Sequence, residues 1–321
     1  MRITVLDATT LGADLDLSAL SALGEAEIYS KTSGGEIVSR LQGADVAILN
    51  KVKLTEEILA SLPSLRLICI TATGYDNVDV QACRKLGIAV CNVAGYSSQS
   101  VAQLTLAMAL SLYTHLPEYD THVKNGAYTR GGVQNCLAPV YHELAGKTWG
   151  IIGFGNIGQA VGTVARAMGC RVIVHRRHAA EGFENVSLDE LYAQSDIISL
   201  HVPLTEQTRG MISRQALSRM KRGVMLINVA RGAVLDEAAV ADAVIEGQIG
   251  FFGCDVYSHE PFPVGHPFSH LLNRKNVCLT PQMAWGSYES RVRCLDEVIA
   301  NIRAFERGEL RNRVDVAKGT L

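Results

Sequence analysis

Residues 148–177 contain the feature that most constrains what this chain can fold into. Four apolar-rich residues, Trp149-Gly150-Ile151-Ile152, are typical of a buried parallel strand, and Gly153-Phe154-Gly155-Asn156-Ile157-Gly158 follows at once. Helical spacing begins inside that glycine motif, and residues 171–175 predict a second strand. A G-x-G-x-x-G motif between a strand and a helix, inside a unit of about 30 residues, is the pattern of a dinucleotide-binding βαβ unit.

Each glycine of the motif has its own physical reason. Gly153 permits the tight turn, Gly155 removes the Cβ that would hold a pyrophosphate away from the backbone, and Gly158 lets the helix pack against the strand. Asn156 and Ile157 open the helix, whose first N–H groups and positive dipole end favour phosphate. The alternative, a glycine-rich turn without a ligand, leaves Gly155 unexplained.

The helix after the motif has an apolar face in its sequence. Ile157, Val161, Val164, Ala165 and Met168 recur at steps of three and four residues. This spacing predicts that the five side chains lie on one face and pack against the strands.

The end of the second strand bears on the choice of cofactor. NAD sites usually place Asp or Glu about 20 residues beyond the motif, where it accepts hydrogen bonds from the ribose, whereas a 2′-phosphate requires Arg. Here the strand ends His175-Arg176-Arg177, and no acid follows until Glu181. We therefore expect NADP(H) in preference to NAD(H). The alternative is that the Arg pair is a solvated strand end and that NAD also binds.

Composition and charge exclude several classes of protein. The chain has 321 residues, of which 48% are hydrophobic and 19% charged, and a net charge of −2. It can form two domains, and it lacks the basic charge of a nucleic-acid or membrane-surface protein. The N-terminus leads directly into a strand, and residues 104–112 are too short a run to span a bilayer. Eight cysteines without a C-x-x-C pair, and nine histidines without metal-ligand spacing, predict buried thiols, no metal site and a cytoplasmic protein.

The pattern along the chain predicts two domains. Short apolar runs alternate with helical stretches on both sides of a long helix at residues 97–112, which implies parallel sheets. The predicted strands are residues 3–6, 26–29, 46–49, 67–70, 89–91, 197–202, 224–228, 253–256 and 277–279. The later predicted helices are residues 188–193, 214–220, 237–245 and 287–307, with an irregular, exposed stretch at 125–142.

The predicted fold is α/β, with two doubly wound (Rossmann-like or flavodoxin-like) parallel-sheet lobes and the active site in the cleft between them. Residues 1–98 plus 287–321 are predicted as a substrate-binding (catalytic) domain, and residues 99–286 as the NAD(P)-binding Rossmann domain. Ligands of open α/β sheets bind beside the carboxyl ends of the strands.

Four stretches resemble a known family. They are NVARGAVLDEAAVADA from Asn228, GCDVYSHEPFP from Gly253, LTPQMAWGSYES from Leu279, and ICITATGYDNVDVQACRKLGIAVCNVAGYSSQSVAQ from Ile68. Together they resemble the D-isomer-specific 2-hydroxyacid dehydrogenase family across nearly the whole chain. Asn50-Lys51-Val52, Ala72-Thr73-Gly74 and Ala284-Trp285 are most similar to its glycerate dehydrogenase and hydroxypyruvate–glyoxylate reductase branch. The resemblance implies transfer of a hydride between a nicotinamide cofactor, which the arginine pair predicts to be NADP(H), and a small 2-oxo or D-2-hydroxy acid such as hydroxypyruvate or glyoxylate.

The resemblance assigns roles to three of these residues. Arg231 matches the family arginine, and a guanidinium can both grip a carboxylate in a bidentate manner and polarise the ketone. Asp255 would hold the nicotinamide carboxamide, and Glu260 would set the charge and orientation of the proton donor. The plainer alternatives are a surface turn for Arg231 and solvated loop charges for the two acids.

The catalytic assignment departs from the family at Gln282. The family reads Thr-Pro-His, with the His as proton donor, whereas this chain reads Thr280-Pro281-Gln282. General acid catalysis contributes a factor of about 100 to 10,000, and a Gln side chain does not titrate near neutral pH. Three explanations stay open. In the first, another group donates the proton, and the candidates in order of preference are His259, Tyr257, Tyr96 and Lys51. In the second, Gln282 positions a water in a slow or specialised reductase. In the third, the chain is a catalytically impaired NADP(H)-binding sensor or partner protein.

The remaining site residues are also implied by the resemblance. The substrate-binding residues are Lys51, Thr73, Gly74, Tyr96 and Trp285. Together with the glycine motif and the two arginines, the cofactor-binding residues are Val202, Pro203, Thr208, Ala230 and Asp255. The family is usually dimeric, and the resemblance implies a homodimer formed through the long helix and residues 125–142.

Overall fold

The computed structural model describes residues 1–177 and 181–316, which form two compact units. The first unit comprises Met1–Ser97 together with the described residues from Gly286 onward, and the second comprises Ser98–Trp285. The predicted domains, residues 1–98 plus 287–321 and residues 99–286, divide the chain at nearly the same positions.

The described residues form twelve strands and eleven α-helices. The strands are β1 Arg2–Val5, β2 Glu25–Ile28, β3 Val46–Leu49, β4 Leu67–Ile70, β5 Ala89–Cys91, β6 Thr148–Ile152, β7 Arg171–His175, β8 Glu184–Asn185, β9 Ile197–Leu200, β10 Val224–Asn228, β11 Ile249–Cys254 and β12 Val277–Leu279. The helices are α1 Ile37–Leu41, α2 Glu56–Ala60, α3 Val80–Leu86, α4 Ser98–Thr114, α5 Leu116–Lys124, α6 Ala127–Gly131, α7 Asn156–Ala167, α8 Leu188–Gln194, α9 Arg214–Arg219, α10 Glu237–Ile245 and α11 Tyr288–Glu306. Short 3-10 helices lie at Ala8–Leu11, Ser18–Ala22, Gly34–Glu36, Gly232–Val234 and Pro267–Leu271.

The sheet of the first unit is parallel throughout, with the order β2-β1-β3-β4-β5. All residues of β3 and β4 are buried, as expected of parallel strands covered on both faces. The C-terminal helix α11 packs against β4. Chain order reverses between β1 and β3, which makes their carboxyl ends the natural ligand-binding edge of this sheet.

The second unit has the strand order of a dinucleotide-binding sheet. Its seven parallel strands run β8-β7-β6-β9-β10-β11-β12. This order reverses between β6 and β9, and the glycine motif follows β6 directly. The apolar helix α4 packs on α7 and on β10 to β12, so the core lies on both faces of the sheet. The predicted α/β architecture with two parallel sheets is confirmed.

Three details of the sequence prediction were wrong. Strand β11 begins at Ile249 rather than at residue 253. Val164 and Met168 are exposed, so the buried face of α7 is formed by Gly158, Val161, Gly162 and Ala165 instead. Residues 125–142 are not wholly irregular, because α6 lies within them.

The cysteine prediction is largely confirmed. All eight thiols are free, six are buried, and Cys136 and Cys278 are half-buried. Among residues 1–177 and 181–316, no helix combines the length and the apolar character needed to cross a bilayer.

Candidate active site

Gly153 makes the turn that separates β6 from α7. Its φ is +93°, and its N–H donates to the carbonyl of His175 at 3.0 Å. A Cβ at this position would lie 2.7 Å from the backbone carbonyl of His201, at the end of β9. Only glycine fits this contact, which brings the ends of β6, β7 and β9 together where the strand order reverses.

Gly155 and Gly158 differ in what surrounds them. A Cβ on Gly158 would lie 2.4 Å from the carbonyl oxygen of Gly153, whereas a Cβ on Gly155 would meet no atom of the described residues within 4 Å. Gly155 is the N-cap of α7, and no side chain caps the helix. Asn156 and Ile157 form its first turn. The open space above Gly155 and the uncapped helix end fit the pyrophosphate of a dinucleotide.

The basic residues predicted to select the cofactor follow β7. Arg176 is half-buried and Arg177 is exposed. Neither guanidinium pairs with an acidic side chain among the residues that the structure describes. His175 is held by a 3.0 Å hydrogen bond between its Nδ1 and the carbonyl of Val186. The end of this strand therefore carries two positive charges that no described acidic side chain neutralises.

The loop after β9 is braced by its own hydrogen bonds. The Thr208 hydroxyl donates to the Pro203 carbonyl at 2.6 Å and accepts from the Thr205 N–H at 2.8 Å. Val202 lies against Gly153. Burial lowers the pKa of His201 to about 3, so its imidazole is neutral at physiological pH. Thr208 thus shapes this loop through contacts within the chain, and its role toward a cofactor stays a prediction.

Arg231 lies in a turn beyond the carboxyl end of β10 that Asn228 organises. The fully buried Asn228 side chain accepts from the Ala230 N–H at 3.0 Å and donates to the Arg231 carbonyl at 2.9 Å. The Arg231 side chain is exposed, and its Nη1 donates to the Ala230 carbonyl at 2.7 Å. The backbone of this turn is fixed while most of the guanidinium donors stay available to a ligand.

Gly232 joins this turn to the loop after β11. A Cβ on Gly232 would lie 1.9 Å from the Tyr257 carbonyl carbon and 2.1 Å from the Ser258 nitrogen. The buried Glu237 carboxylate holds the same loop, because it accepts from the Ser258 N–H at 2.9 Å and from the Ser258 hydroxyl. The Arg231 turn and the loop that carries Glu260 are therefore locked together.

His266 completes this bracing in a defined tautomer. Its Nδ1 accepts from the Phe268 N–H at 3.2 Å, so the proton is on Nε2, which donates to Glu237 at 3.0 Å. Both residues are buried, at 6% and 9% exposure, with the rings of Tyr257 and Phe268 packed on the imidazole. A buried polar cluster with its hydrogen bonds satisfied in this way makes a loop rigid.

Asp255 organises the turn that contains Gln282. Its carboxylate accepts from the Thr280 hydroxyl at 2.6 Å, the Met283 N–H at 2.8 Å and the Ala284 N–H at 2.9 Å. Gln282 has a left-handed φ of +53°, and its own N–H donates to the Asp255 carbonyl at 2.9 Å. Most of the acceptor capacity of Asp255 is thus used within the chain, and its predicted contact with nicotinamide stays a prediction.

Glu260 and His259 lie on the exposed part of the β11 loop. The Glu260 carboxylate accepts from the Tyr257 N–H at 3.0 Å, and His259 Nδ1 lies 3.0 Å from the Pro261 carbonyl oxygen. Burial raises the pKa of Asp255 and the charge of Glu260 raises it further, whereas the hydrogen bonds from Thr280, Met283 and Ala284 act in the opposite direction. The two carboxylates therefore influence each other electrostatically.

The comparisons with known proteins identify the family. The family model for "D-isomer specific 2-hydroxyacid dehydrogenase, NAD binding domain" matches residues 106–284. This chain belongs to that family. It is 36% identical to a hydroxypyruvate reductase of Blautia hydrogenotrophica over 98% of this chain and 100% of the relative. It is 38% identical to a glycerate dehydrogenase of Methylorubrum extorquens over 90% of this chain and 91% of the relative.

A solved structure is similar over the same length. An acyclic imino acid reductase, Bsp5, in complex with NADPH and D-Arg, superposes with a TM-score of 0.84 at 29% identity, covering 98% of this chain and 100% of that one. The predicted D-2-hydroxyacid dehydrogenase family and its nicotinamide cofactor are confirmed.

The substrate-binding residues predicted in the first unit follow its central strands. Lys51 comes after β3, and Thr73 and Gly74 come after β4. The buried Asp7 accepts from the N–H groups of Asn50, Lys51 and Val52 at 2.6–3.2 Å. Thr73 donates its hydroxyl to the Val93 carbonyl at 2.9 Å.

The remaining two predicted substrate-binding residues belong to different units. Tyr96 is buried in the first unit, where its carbonyl accepts from Arg293 at 3.0 Å. Trp285 is half-buried against the core of the second unit of this dehydrogenase.

Sequence reasoning missed the residues that hold these loops in place. Asp7, Asn228, Glu237 and His266 are all buried polar residues whose hydrogen bonds fix a loop at a strand's carboxyl end. Asp7 and Asn228 stand at the ends of apolar runs, a position that marks them in the sequence. Glu237 and His266 are 29 residues apart, and no local pattern pairs them.

A substitution at Gly155 tests the cofactor cradle separately from the fold. Gly155→Val should leave the thermal unfolding temperature near that of the wild type, because the Cβ meets no atom in the part of the chain that the structure describes and the φ of −85° suits a β-branched residue. Affinity for NADPH should fall at least about tenfold, since the side chain fills the space above the helix end. Thermal unfolding and fluorescence titration with NADPH measure the two effects.

Gly158→Ala is the contrasting variant. Its Cβ meets the Gly153 carbonyl, so we expect loss of stability as well as affinity. Unchanged NADPH affinity in Gly155→Val would contradict the assignment of the cradle.

Proposed function

We propose that this chain uses NADPH to reduce a small 2-oxo acid, such as hydroxypyruvate or glyoxylate, to the D-2-hydroxy acid. Membership of the 2-hydroxyacid dehydrogenase family makes it an oxidoreductase with a nicotinamide cofactor. The observation that carries the proposal is the fixed turn of Arg231, which lies at the same sheet edge as the glycine motif. A cation held there can bind an acid beside the cofactor.

In this proposal the predicted site residues have distinct roles. The bound cofactor supplies the hydride. Arg231 binds the carboxylate and polarises the carbonyl, Asp255 fixes the turn of Gln282, and Glu260 sets the charge beside it. The substrate contacts Thr73, Gly74, Tyr96 and Lys51 of the first unit and Trp285 of the second. The cofactor contacts Val202, Pro203, Thr208 and Ala230. The direct test is oxidation of NADPH, followed at 340 nm, with a panel of 2-oxo acids.

The preference for NADP(H) over NAD(H) is supported by Arg176 and Arg177. Arg176→Asp should reduce NADPH affinity by about 10- to 100-fold, because a charge-assisted hydrogen bond contributes about 1.5–3 kcal/mol. NADH affinity should stay constant or rise, since a carboxylate can accept from the ribose hydroxyls. Titration of both nucleotides against both proteins measures this ratio.

Arg171→Ser is the matched control for the cofactor prediction. It removes a guanidinium from the opposite end of β7, where Arg171 pairs with Glu184 at 2.8 Å. We expect no change in the ratio of the two affinities. Equal affinity of the wild type for NADPH and NADH would overturn the proposed preference.

The substrates that appear in the names of the relatives share one chemical feature. An imino acid, the substrate class in the name of the solved relative, carries a C=N bond next to its carboxylate, whereas hydroxypyruvate and glyoxylate carry a C=O bond there. The proposed site is therefore a site for a carboxylate beside a polar double bond.

A second function is a catalytically impaired NADP(H)-binding sensor or partner protein, and Gln282 is the residue that favours it. This function predicts tight NADPH binding with no oxidation across the panel of acids. Turnover of any 2-oxo or 2-imino acid excludes it.

A homodimer and a cytoplasmic location belong to the same proposal. Leu116, Val133, Leu137 and Val140 of the second unit are 62–73% exposed, an apolar surface that suits a second copy of the chain. The eight free thiols favour a reducing compartment. Sedimentation equilibrium should give twice the chain mass of 34.6 kDa.

A further inference from the structure

The amide side chain of Gln282 cannot act as a proton donor, and this restricts which substrates the site can reduce efficiently. Hydride addition to a ketone leaves an alkoxide, which must receive a proton as its charge develops. A Gln amide can donate a hydrogen bond to that oxygen, but it has no proton to transfer near neutral pH. The turn of Gln282 is nevertheless firmly built, with four hydrogen bonds joining it to Asp255.

The neighbouring groups of the second unit do not supply the proton readily. The Tyr257 hydroxyl donates to the Thr280 carbonyl at 2.9 Å, and burial raises its pKa above the ordinary value. The oxygens of Asp255 accept three hydrogen bonds from the turn. His259 is exposed, with one ring nitrogen 3.0 Å from the Pro261 carbonyl oxygen. A substrate that carries its own proton would remove the need for a donor.

We propose that the preferred substrate of this site is the iminium form of a small 2-oxo acid, made from the acid and ammonia or a small primary amine. This inference rests on the proposed function, because it uses the same cofactor, the same Arg231 and the same sheet edge. In the iminium substrate, nitrogen replaces oxygen as the atom doubly bonded to the reacting carbon.

The reaction balances without a protein acid. The amine condenses with the 2-oxo acid in solution, water leaves, and the imine takes up a proton from the solvent to become the iminium. The reduced nicotinamide gives a hydride to the carbon, so a C–H bond forms and the C=N π pair becomes a lone pair on nitrogen. The positive charge of the iminium is cancelled in this step. The neutral amine then takes a proton from water, and the oxidised cofactor leaves.

The charges around the turn suit a cationic reacting group. Asp255 and Glu260 are both acidic, and among the residues that the structure describes no Lys, Arg or His side chain forms an ion pair with either carboxylate. A protonated His at position 282 would neutralise part of this charge, whereas Gln282 leaves it in place. An iminium nitrogen next to Gln282 would be stabilised by the two carboxylates, while Arg231 balances the negative charge of the substrate's own carboxylate.

The test compares two products of one 2-oxo acid. Pyruvate and hydroxypyruvate are each incubated with the wild-type protein and NADPH at pH 8.5, either with ammonium chloride or with tetramethylammonium chloride, which cannot form an imine, at equal ionic strength. Oxidation of NADPH is followed at 340 nm. Chiral chromatography then separates the 2-amino acid from the 2-hydroxy acid.

Two variants extend the test to residue 282. Gln282→His restores a titratable donor, and its kcat/KM for the ketone should rise about 100-fold or more. Histidine tolerates the left-handed φ of this position, so the variant should fold. His259→Gln is the control for the other imidazole of these loops, and it should leave the ratio of the two products unchanged.

The outcomes separate this inference from the proposed function. We expect ammonium to increase NADPH oxidation at least tenfold in the wild type, with a D-2-amino acid as the main product, and Gln282→His to shift the products toward the hydroxy acid. Reduction of 2-oxo acids to hydroxy acids alone, at a rate that ammonium does not change, overturns only the iminium inference. No NADPH oxidation under either condition overturns both. Loss of hydroxy acid formation in His259→Gln would assign the donor to His259 and also overturn the inference.

Discussion

Replacing Arg231 with alanine should lower kcat/KM for the substrate by about a thousandfold, with little change in the unfolding temperature. One preorganised donor to a developing charge contributes a factor of about 100 to 1,000, and Arg231 is proposed to bind the carboxylate as well. The protein should tolerate the change because the Arg231 side chain is exposed, and Asn228 holds the turn through the backbone. Steady-state kinetics and thermal unfolding measure the two effects.

The control for Arg231 lies at the other end of the same strand. Arg222 precedes β10, is exposed, and donates to the Glu246 carbonyl at 3.0 Å. Arg222→Ala removes the same chemical group and should leave kcat/KM within about twofold of the wild-type value, because surface substitutions are usually nearly neutral. Arg231→Lys should stay severely impaired, since an ammonium lacks the planar fork. An Arg231→Ala protein that keeps a tenth of the wild-type activity would remove Arg231 from the proposed site.

Gly232→Ala should be among the most damaging single-methyl additions in the second unit. The new Cβ would lie 1.9 Å from one backbone atom of Tyr257 and 2.1 Å from the nitrogen of Ser258, so the Arg231 turn or the β11 loop must move. We expect the free energy of unfolding to fall by about 3 kcal/mol, at the upper end of the usual cost of overpacking. Activity should fall by more than the folded fraction, because either movement changes the position of the Arg231 turn relative to the loop that carries Glu260.

Gly131→Ala is the matched substitution. Gly131 ends α6, its φ is outside the left-handed region, and a Cβ there would lie more than 4 Å from every atom of residues 1–177 and 181–316 outside its immediate chain neighbours. Its stability and kcat/KM should equal those of the wild type. Chemical denaturation measures the loss of stability. Single-turnover kinetics, corrected for the folded fraction, measures how far the catalytic groups are displaced in the protein that remains folded. A Gly232→Ala protein with wild-type stability and activity would show that the two loops are not tightly packed.

The sequence predicts the elements of this fold well where the local pattern is strong. Strands β7, β10 and β12 and helix α10 begin and end where apolar periodicity places them. The prediction of β11 began four residues late because Gly250 interrupts its apolar run. A Cβ on Gly250 would lie 2.5 Å from the Gly223 carbonyl oxygen, so the glycine is required by a neighbouring chain segment rather than by a turn.

The candidate site is predictable only in part. The glycine motif and the strand-end residues Arg231, Asp255 and Gln282 lie within recognisable stretches. Periodicity does not reveal that Glu237 and His266 together brace the Ser258 loop, because this cluster forms only through tertiary packing. The error in α7 has a similar cause. Gly158 and Gly162 face the strands and allow close approach, so the buried face carries glycines where large apolar residues were expected.

The way Asp255 holds the turn after β12 has an evolutionary consequence. Its carboxylate binds the Thr280 hydroxyl and the backbone N–H groups of Met283 and Ala284, and none of these hydrogen bonds involves the side chain of residue 282. The hydrogen bonds of Asp255 that hold this turn therefore do not depend on which side chain stands at position 282. One mutation at such a position can give a duplicated gene new chemistry while its product still folds, and enzymes of this architecture could diversify by changing one side chain.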